Sequence, residues 1–496
     1  MTGLGVVTPA GADERTFWAG LCAGRSVARR QPELAGMPVD FACSVDGPAP
    51  DRGAHGGAGG GSADGTGSGS GSASGTGPGT RTDTGPGTGT RRCTNGGTDR
   101  GSASDTGPGP AGGTGPGPAT GAGPGVGPGT ACGSGEDVPP RPGIDIDAAV
   151  GGRSVWRMAR FVKLALIAAR QAVADAGLDP VTWESGRVGV VLGVGVGGVS
   201  VLSDNVLRLR DQGPEVVSPL LVPMMIPNAA AGEVAIALRA QGPSLSPATA
   251  CASGATAISL ARDLLISGQC DVVVAGGAES VLTPLVVTAF ARMGALSTRG
   301  GDPAEASRPF AADRDGFVIG EGAAMVVLER ETDARSRGRV PRALLTGAGA
   351  STDAYHPTAP EPHGRVAQAA VETALRQAGW TPCDVEHVNA HGTSTPLNDA
   401  MEARLIERIF PHRPPVTAPK GVLGHTLAAA GAIEAVATVL TLEQGVIPPI
   451  ANLDAPPVEF DMDCVTKAAR PQPVETAVSH SFGFGGHNVA LAFRRA

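Results

Sequence analysis

Leu427-Ala428-Ala429-Ala430-Gly431-Ala432-Ile433-Glu434-Ala435-Val436-Ala437-Thr438-Val439-Leu440-Thr441-Leu442 is apolar nearly all round a helical wheel, and Glu434 is its only clear charge. A helix without a polar face is enclosed by protein on every side. At about 16 residues the run falls short of the roughly 20 that a bilayer needs. It therefore predicts a buried core helix, and with it a layered architecture built around a central helix pair.

The flanking text supplies the layers. Arg187–Val194, Asp271–Ala275, Ala323–Leu328, Leu344–Gly349, Val385–Asn389 and Val489–Phe493 read as short strands. Between them, Val155–Ala176 (stopping at Gly177), Ala252–Ser267 (stopping at Gly268), Arg365–Ala378 and Asn398–Phe410 read as helices. In Arg365–Ala378 the residues Val366, Ala370, Ala374 and Ala378 recur at four-residue spacing, the mark of an amphipathic helix. Alternation of strand and helix is the pattern of an α/β fold. The alternation is interrupted over residues 45–142, where Gly, Ser, Thr and Pro dominate and large apolar residues are almost absent. Such text cannot bury enough surface to offset an ordering cost of roughly 1–2 kcal/mol per residue, so a disordered insertion is expected.

The chain has 496 residues and a net charge of -8, with a pI near 5.6. That balance excludes a broad electrostatic hold on nucleic acid, whose binders are strongly basic. The eight cysteines, among them Cys22, Cys43, Cys251, Cys270, Cys383 and Cys464, form no C-x-x-C pair. Their scatter fits reduced thiols in a cytoplasmic protein better than a disulfide framework or a zinc site. No basic leader precedes a sustained apolar run at the start, so neither an export signal nor a membrane span is expected.

Four segments carry candidate chemistry. In Pro247–Ala255 a single cysteine, Cys251, sits among small residues where an extended segment turns into a helix. The dipole and free N–H groups of a helix start favour thiolate, yet the same text also suits a buried structural thiol. Glu386–Pro396 holds His387 and His391, four apart. On a helix they would suggest a metal pair, but the β-branched run before them makes a strand whose end presents His391. Ala418–His425 places Lys420, beside only Lys163 and Lys467 as lysines in the chain, in apolar text where a lysine is unusual. It also supplies His425, which could equally cap the helix that follows. Ser481–Asn488 is a glycine-rich turn able to aim backbone N–H groups at an oxyanion.

Taken together and in this order, TACASG (249–254), NAHGTSTP (389–396), APKGVLGH (418–425) and SFGFGGHN (481–488), with ASRPFAADRDGFVIGEGA (306–323), resemble the 3-oxoacyl-[acyl-carrier-protein] synthase II family of the thiolase superfamily. The second-last and last of the four motifs look most like actinobacterial members. The resemblance covers nearly everything outside the insertion. It implies a thiolase-like α/β fold of two similar βαβαβαββ halves in five layers, residues 1–44 with 143–333 and residues 334–496, usually as a homodimer. It implies Cys251 as nucleophile, His391 and His425 as paired histidines, and Lys420 as the residue positioning the second of them. Glu434 matches a supporting acid, Phe484 a gating residue whose N–H joins that of Cys251 in an oxyanion hole, and Thr393 and Thr395 contacts to a phosphopantetheine arm. Ile226 is a weaker match to an acyl-pocket residue.

The implied reaction is decarboxylative condensation of a malonyl-carrier with an acyl group held on cysteine. It needs no metal or organic cofactor, because the malonyl group brings its own driving force, and its partner is an acyl carrier protein. Two other readings share the motifs: a ketosynthase of a specialised polyketide pathway, with a heterodimer possible, and a non-catalytic subunit that shapes chain length. The second is disfavoured by the presence of Cys251. Family members begin with several β residues before the Thr2-Gly3-Leu4-Gly5 match, so the first strand is expected to be short.

Overall fold

The computed structural model describes residues 1–46, 143–152, 154–456 and 458–496. The expected insertion lies almost wholly outside them. Its lower edge is corrected by two residues, since Val45 is buried and donates its N–H to Glu321, and Asp46 pairs with Arg160.

The elements that position the site are, in order, β1 (Gly3–Val7), α1 (Arg160–Asp175), β2 (Val188–Gly193), α2 (Val199–Gln212), α3 (Leu221–Met225), α4 (Ala229–Leu238), β3 (Ser244–Leu245), α5 (Ser253–Ile266), β4 (Val272–Glu279) and β5 (Gly322–Glu329). They continue as β6 (Ala343–Thr352), α6 (Arg365–Ala378), β7 (His387–Asn389), α7 (Pro396–Ile409), β8 (Pro415–Thr417), α8 (Lys420–Leu423), α9 (Ala430–Gln444), β9 (Asp463–Cys464), β10 (Thr476–Gly483) and β11 (His487–Arg495).

These strands make a five-stranded sheet in the order β1-β5-β4-β2-β3 and a six-stranded one in the order β6-β11-β10-β7-β8-β9. In the first, β3, β2 and β4 run parallel and β5 and β1 antiparallel. In the second, β8, β7 and β10 run parallel and β11 and β6 antiparallel. The same five-strand pattern thus appears twice, with β9 added at one edge, and the two runs of chain that build it are the two similar halves of a thiolase-like fold. The expected boundary at 333/334 falls in the short helix Glu331–Ser336 between β5 and β6.

The helices α5 and α9 lie between the sheets, touching β4 and β2 on one side and β10 and β11 on the other. The helix α1 covers the outer face of the first sheet and α6 that of the second, completing five layers. Every residue of α9 from Ala430 to Leu442 is buried, as its all-round apolar text requires. With the 3-10 turn before it, the run Leu427–Gln444 is long and apolar enough to cross a membrane, but 89% of it is buried inside the protein. The central pair touches through small residues. A Cβ on Gly254 would meet Ala432 N at 2.8 Å, and one on Gly431 would meet Ala255 Cβ at 2.9 Å.

Two expected elements differ in extent for a visible reason. The helix expected from Val155 begins at Arg160. Val155–Arg157 is a separate 3-10 turn, and Ala159, at φ -66 and ψ 157, breaks the run although its apolar spacing continues. The strand expected to end at Ala275 continues to Glu279 through Gly276 and Gly277. Those glycines pack closely here: a Cβ on Gly276 would lie 2.0 Å from Ala324 O, and one on Gly277 2.7 Å from Ala428 O. The short first strand is β1, five residues paired with Ala323–Val327 of β5.

Candidate active site

Cys251 sits in a 3-10 turn, Ala250–Ala252, that leads directly into α5. The turn is locked by Ser253, whose hydroxyl donates to Ala250 O at 2.7 Å and accepts from Thr249 N at 2.9 Å. Ala250, at φ 49, occupies the left-handed region that a side chain disfavours, so the backbone is strained at the residue before the thiol. The other half of the site closes over this turn at the end of β10. A Cβ on Gly483 would lie 2.6 Å from Thr249 O and 3.1 Å from Cys251 N, so only glycine allows the two segments to meet. Their meeting brings the backbone N–H groups of Phe484 and Cys251 to the thiol.

The thiol is a protonated one. Burial pushes it up to about 11, and the Lys420 charge and the two N–H groups only partly oppose that. The helix start that favours thiolate is there, but desolvation outweighs it.

His391 projects from the end of β7 and His425 from the segment after α8, both buried. Their rings lie 5.5 Å apart, edge to face. Lys420 donates to His391 O at 2.7 Å and to His391 Nδ1 at 3.2 Å, and forms a buried ion pair with Glu434. Lys420 thus holds the first histidine, where the resemblance had implied the second. The reason is local: Gly424, at φ 65, turns the chain out of α8, and His425 leaves in another direction. A side chain at 424 is barred by Val318 O, 2.8 Å from where a Cβ would sit. His425 is held instead by its backbone, donating to Val318 O at 2.7 Å and accepting from Gly320 N at 2.9 Å, and by Phe317 packed edge-on.

Both rings carry the same tautomer. His425 Nδ1 accepts from Leu427 N at 3.3 Å, and His391 Nδ1 accepts from an ammonium that can only donate. The proton of each is left on Nε2. Burial first, and the Lys420 charge next, hold both well below the usual imidazole range, so both are neutral donors at physiological pH. Glu434 is pushed up to about 7 by burial, against the pull of Lys420.

Cys251, His391 and His425 line one cavity of about 430 Å3 with Phe484, Thr393 and Thr395, and Lys420 and Glu434 are not part of its lining. The two threonine hydroxyls are 2.9 Å apart. Ile226, at the end of α3, is half-buried and does not line it. A strand-to-helix thiol, two neutral imidazole donors and two converging N–H groups in one apolar cavity are equipped for acyl transfer through a thioester.

Comparison with known proteins agrees. The model of the beta-ketoacyl synthase N-terminal domain matches residues 145–334, and that of its C-terminal domain residues 342–454. The chain belongs to the beta-ketoacyl synthase family. This synthase is 43% identical over 356 residues to 3-oxoacyl-[acyl-carrier-protein] synthase 2 of Synechocystis sp., covering 71% of this chain and 86% of that one. It is 44% identical over 340 residues to the Rhizobium meliloti protein of the same name, covering 68% and 80%. Among solved structures, a beta-ketoacyl synthase from Burkholderia phymatum superposes with a TM-score of 0.76 at 27% identity, covering 100% of this chain and 98% of that one. The ishigamide ketosynthase/chain length factor superposes at 0.75 and 25%, with the same coverage. The synthase is accordingly an enzyme, an acyltransferase that forms a carbon–carbon bond.

Sequence reasoning missed the carboxylates that hold the synthase's histidine loop. Glu402 accepts from His391 N and Gly392 N, both at 2.8 Å. Asp399 accepts from Thr393 N at 3.0 Å, Ser394 N at 3.1 Å and Phe310 N at 2.8 Å. Burial pushes Asp399 up to about 6. The available signal was their i, i+3 spacing on α7, which puts two acids on the helix face that turns inward.

Proposed function

We propose that Cys251, His391 and His425 carry the two half-reactions of a 3-oxoacyl-[acyl-carrier-protein] synthase that elongates fatty acyl chains. In the first, Cys251 Sγ attacks the thioester carbonyl of an acyl-carrier. The oxyanion is held by the N–H groups of Cys251 and Phe484, and the carrier leaves as its thiol with the cysteine's proton. In the second, malonyl-carrier enters past Thr393 and Thr395, which take its phosphopantetheine arm. Its carboxylate leaves as CO2, and the bonding pair moves into an enolate whose oxygen accepts from His391 Nε2–H and His425 Nε2–H. The enolate carbon attacks the acyl-Cys251 carbonyl, the 3-oxoacyl-carrier forms, and Cys251 is expelled and reprotonated from solvent.

The observation that carries this reading is the pair of neutral histidines with Nε2–H free to donate, in the cavity that also holds the thiol. Two half-reactions through a covalent intermediate give ping-pong kinetics. The test is intact-mass analysis after incubation with acyl-carrier: the unaltered protein gains one acyl group and Cys251→Ala gains none. Acylation of Cys251→Ala would remove Cys251 from its role.

We further propose a cytoplasmic homodimer. Free cysteines, including Cys43, Cys251 and Cys383, fit a reducing compartment. The edge strand β3 exposes Leu245, and Val206, Val222 and Ile236 expose 54%, 62% and 68% of their surfaces nearby in the same half of the fold. An unpaired edge beside large exposed apolar residues is the surface a second copy would cover.

A further inference from the structure

We propose that Glu279 is a positioning residue that sets how long an acyl chain the Cys251 cavity accepts, by clamping the turn Gly195-Val196-Gly197. The proposal rests on the acyl-Cys251 reading above.

Glu279 ends β4, is fully buried, and lines the same cavity as Cys251. Among the described residues no Lys, Arg or His forms an ion pair with it. Its carboxylate instead accepts from Gly195 N at 2.9 Å, Val196 N at 3.0 Å and Gly197 N at 3.3 Å. Three successive N–H groups converging on one carboxylate is the arrangement a backbone turn adopts around an anion. Here the anion belongs to the protein, and the partner it fixes is a piece of cavity wall. A buried carboxyl without a cation is costly, and burial pushes this one up to about 7 against those N–H groups.

The turn's far end is pressed against α3. Gly198 N donates to Met225 O at 3.0 Å, and Gly197 sits at φ 78, where its Cβ would meet Met225 O at 2.8 Å. Val196, the middle residue of the clamped turn, is 43% exposed and lines the cavity. A fixed apolar wall rejects an over-long chain through steric cost, and one methylene too many is worth roughly 10–200-fold. A released wall yields, and that discrimination fades.

Glu279→Gln tests this. The amide keeps one acceptor and turns an NH2 onto the turn's donors. Gly195→Ala perturbs the same contact from the other side, because its Cβ would lie 2.9 Å from Glu279 Oε2, and it decides the question if Glu279→Gln does not fold. The measurement is the rate of Cys251 acylation, by intact mass, from hexanoyl- and tetradecanoyl-carrier thioesters. The ratio of long to short is expected to rise about tenfold or more in both variants, in keeping with the per-methylene range. An unchanged ratio, or equal loss with both thioesters, overturns the proposal. If the unaltered enzyme is acylated by neither thioester, the reading of Cys251 fails instead.

Discussion

Replacing Lys420 with Met separates the two tasks of the buried lysine. Lys420 and Glu434 are 2% and 1% exposed. At an effective dielectric of about 20, opposite unit charges roughly 3 Å apart attract by about 5 kcal/mol, which nearly cancels the cost of taking both out of water. The pair is thus close to neutral for stability, but half of it is not. Lys420→Met leaves Glu434 buried without its cation, a loss of about 3–5 kcal/mol, or roughly 3–6 °C in Tm for a chain of this size.

The loss depends on pH in a defined direction. Glu434 is raised to about 7 from an ordinary 4.5 even with Lys420 present, and losing the cation raises it further. An acid whose folded value is raised contributes stability below its unfolded value, and that is lost as pH rises through the folded value. The deficit of Lys420→Met is therefore small near pH 5 and grows through pH 7 to 8. Lys420→Met with Glu434→Gln removes both charges and recovers most of the stability at pH 8. It does not recover decarboxylation, because His391 Nδ1 still lacks its donor and the proton is no longer held on Nε2. Losing one preorganised donor costs about 10²–10³-fold in rate. Thermal melts at pH 5 and 8, with CO2 release from malonyl-carrier, make the assay. Full decarboxylation in the double variant would reduce Lys420 to charge compensation and refute the tautomer argument.

Three further outcomes are expected. Alkylation of Cys251 by iodoacetamide, followed by mass spectrometry, rises about tenfold per pH unit from 7 towards 10, because a thiol raised to about 11 is only about one part in ten thousand thiolate at pH 7; a plateau below pH 8 would mean burial does not govern it. Gly483→Ala, whose Cβ is blocked by Thr249 O at 2.6 Å, displaces the Phe484 N–H and lowers the rate of acylation about 10²–10³-fold; an unchanged rate would take that N–H out of the oxyanion hole. His425→Ala still forms acyl-Cys251 but releases CO2 slowly, so single-turnover acylation and decarboxylation part company; normal turnover would break its assignment.

What could be read from the text follows from which interactions are local. The all-round apolar run at 427–442 demanded a central helix, and α9 is one. Small residues at 249–255 demanded a tight strand-to-helix turn, and they make it. What the text hid is long-range. Nothing at Gly276-Gly277 distinguishes a strand end from a strand passing close to its neighbour until Ala324 and Ala428 are in place. Lys420 holds His391, 29 residues away, and not His425, the partner the resemblance implied, because only the fold brings the end of β7 to the lysine. The state of Cys251 could not be settled from the text for the same reason: the helix start is local and visible, whereas burial comes from segments at 391, 425 and 483 that converge only in the fold.

A protonated thiol and neutral imidazoles suit the order of events in the proposed reaction. A resting thiolate would be stabilised before substrate arrives, and that stabilisation would have to be lost again in acyl transfer. Keeping the proton on sulfur until a thioester arrives leaves the nucleophile to be made where the two N–H groups already point. The second step has the converse demand. Malonate enters as an anion, and a fixed imidazolium would hold that carboxylate as tightly as it holds the enolate, lowering both energies and gaining nothing in rate. A neutral Nε2–H gives less to the carboxylate and more to the charge that develops on the thioester oxygen. The Lys420 charge, absorbed by Glu434 and turned towards His391 Nδ1 and O, keeps the rings neutral without standing in the substrate's path. Preorganised neutral donors, with the cation one layer back, favour the enolate over the acid it came from.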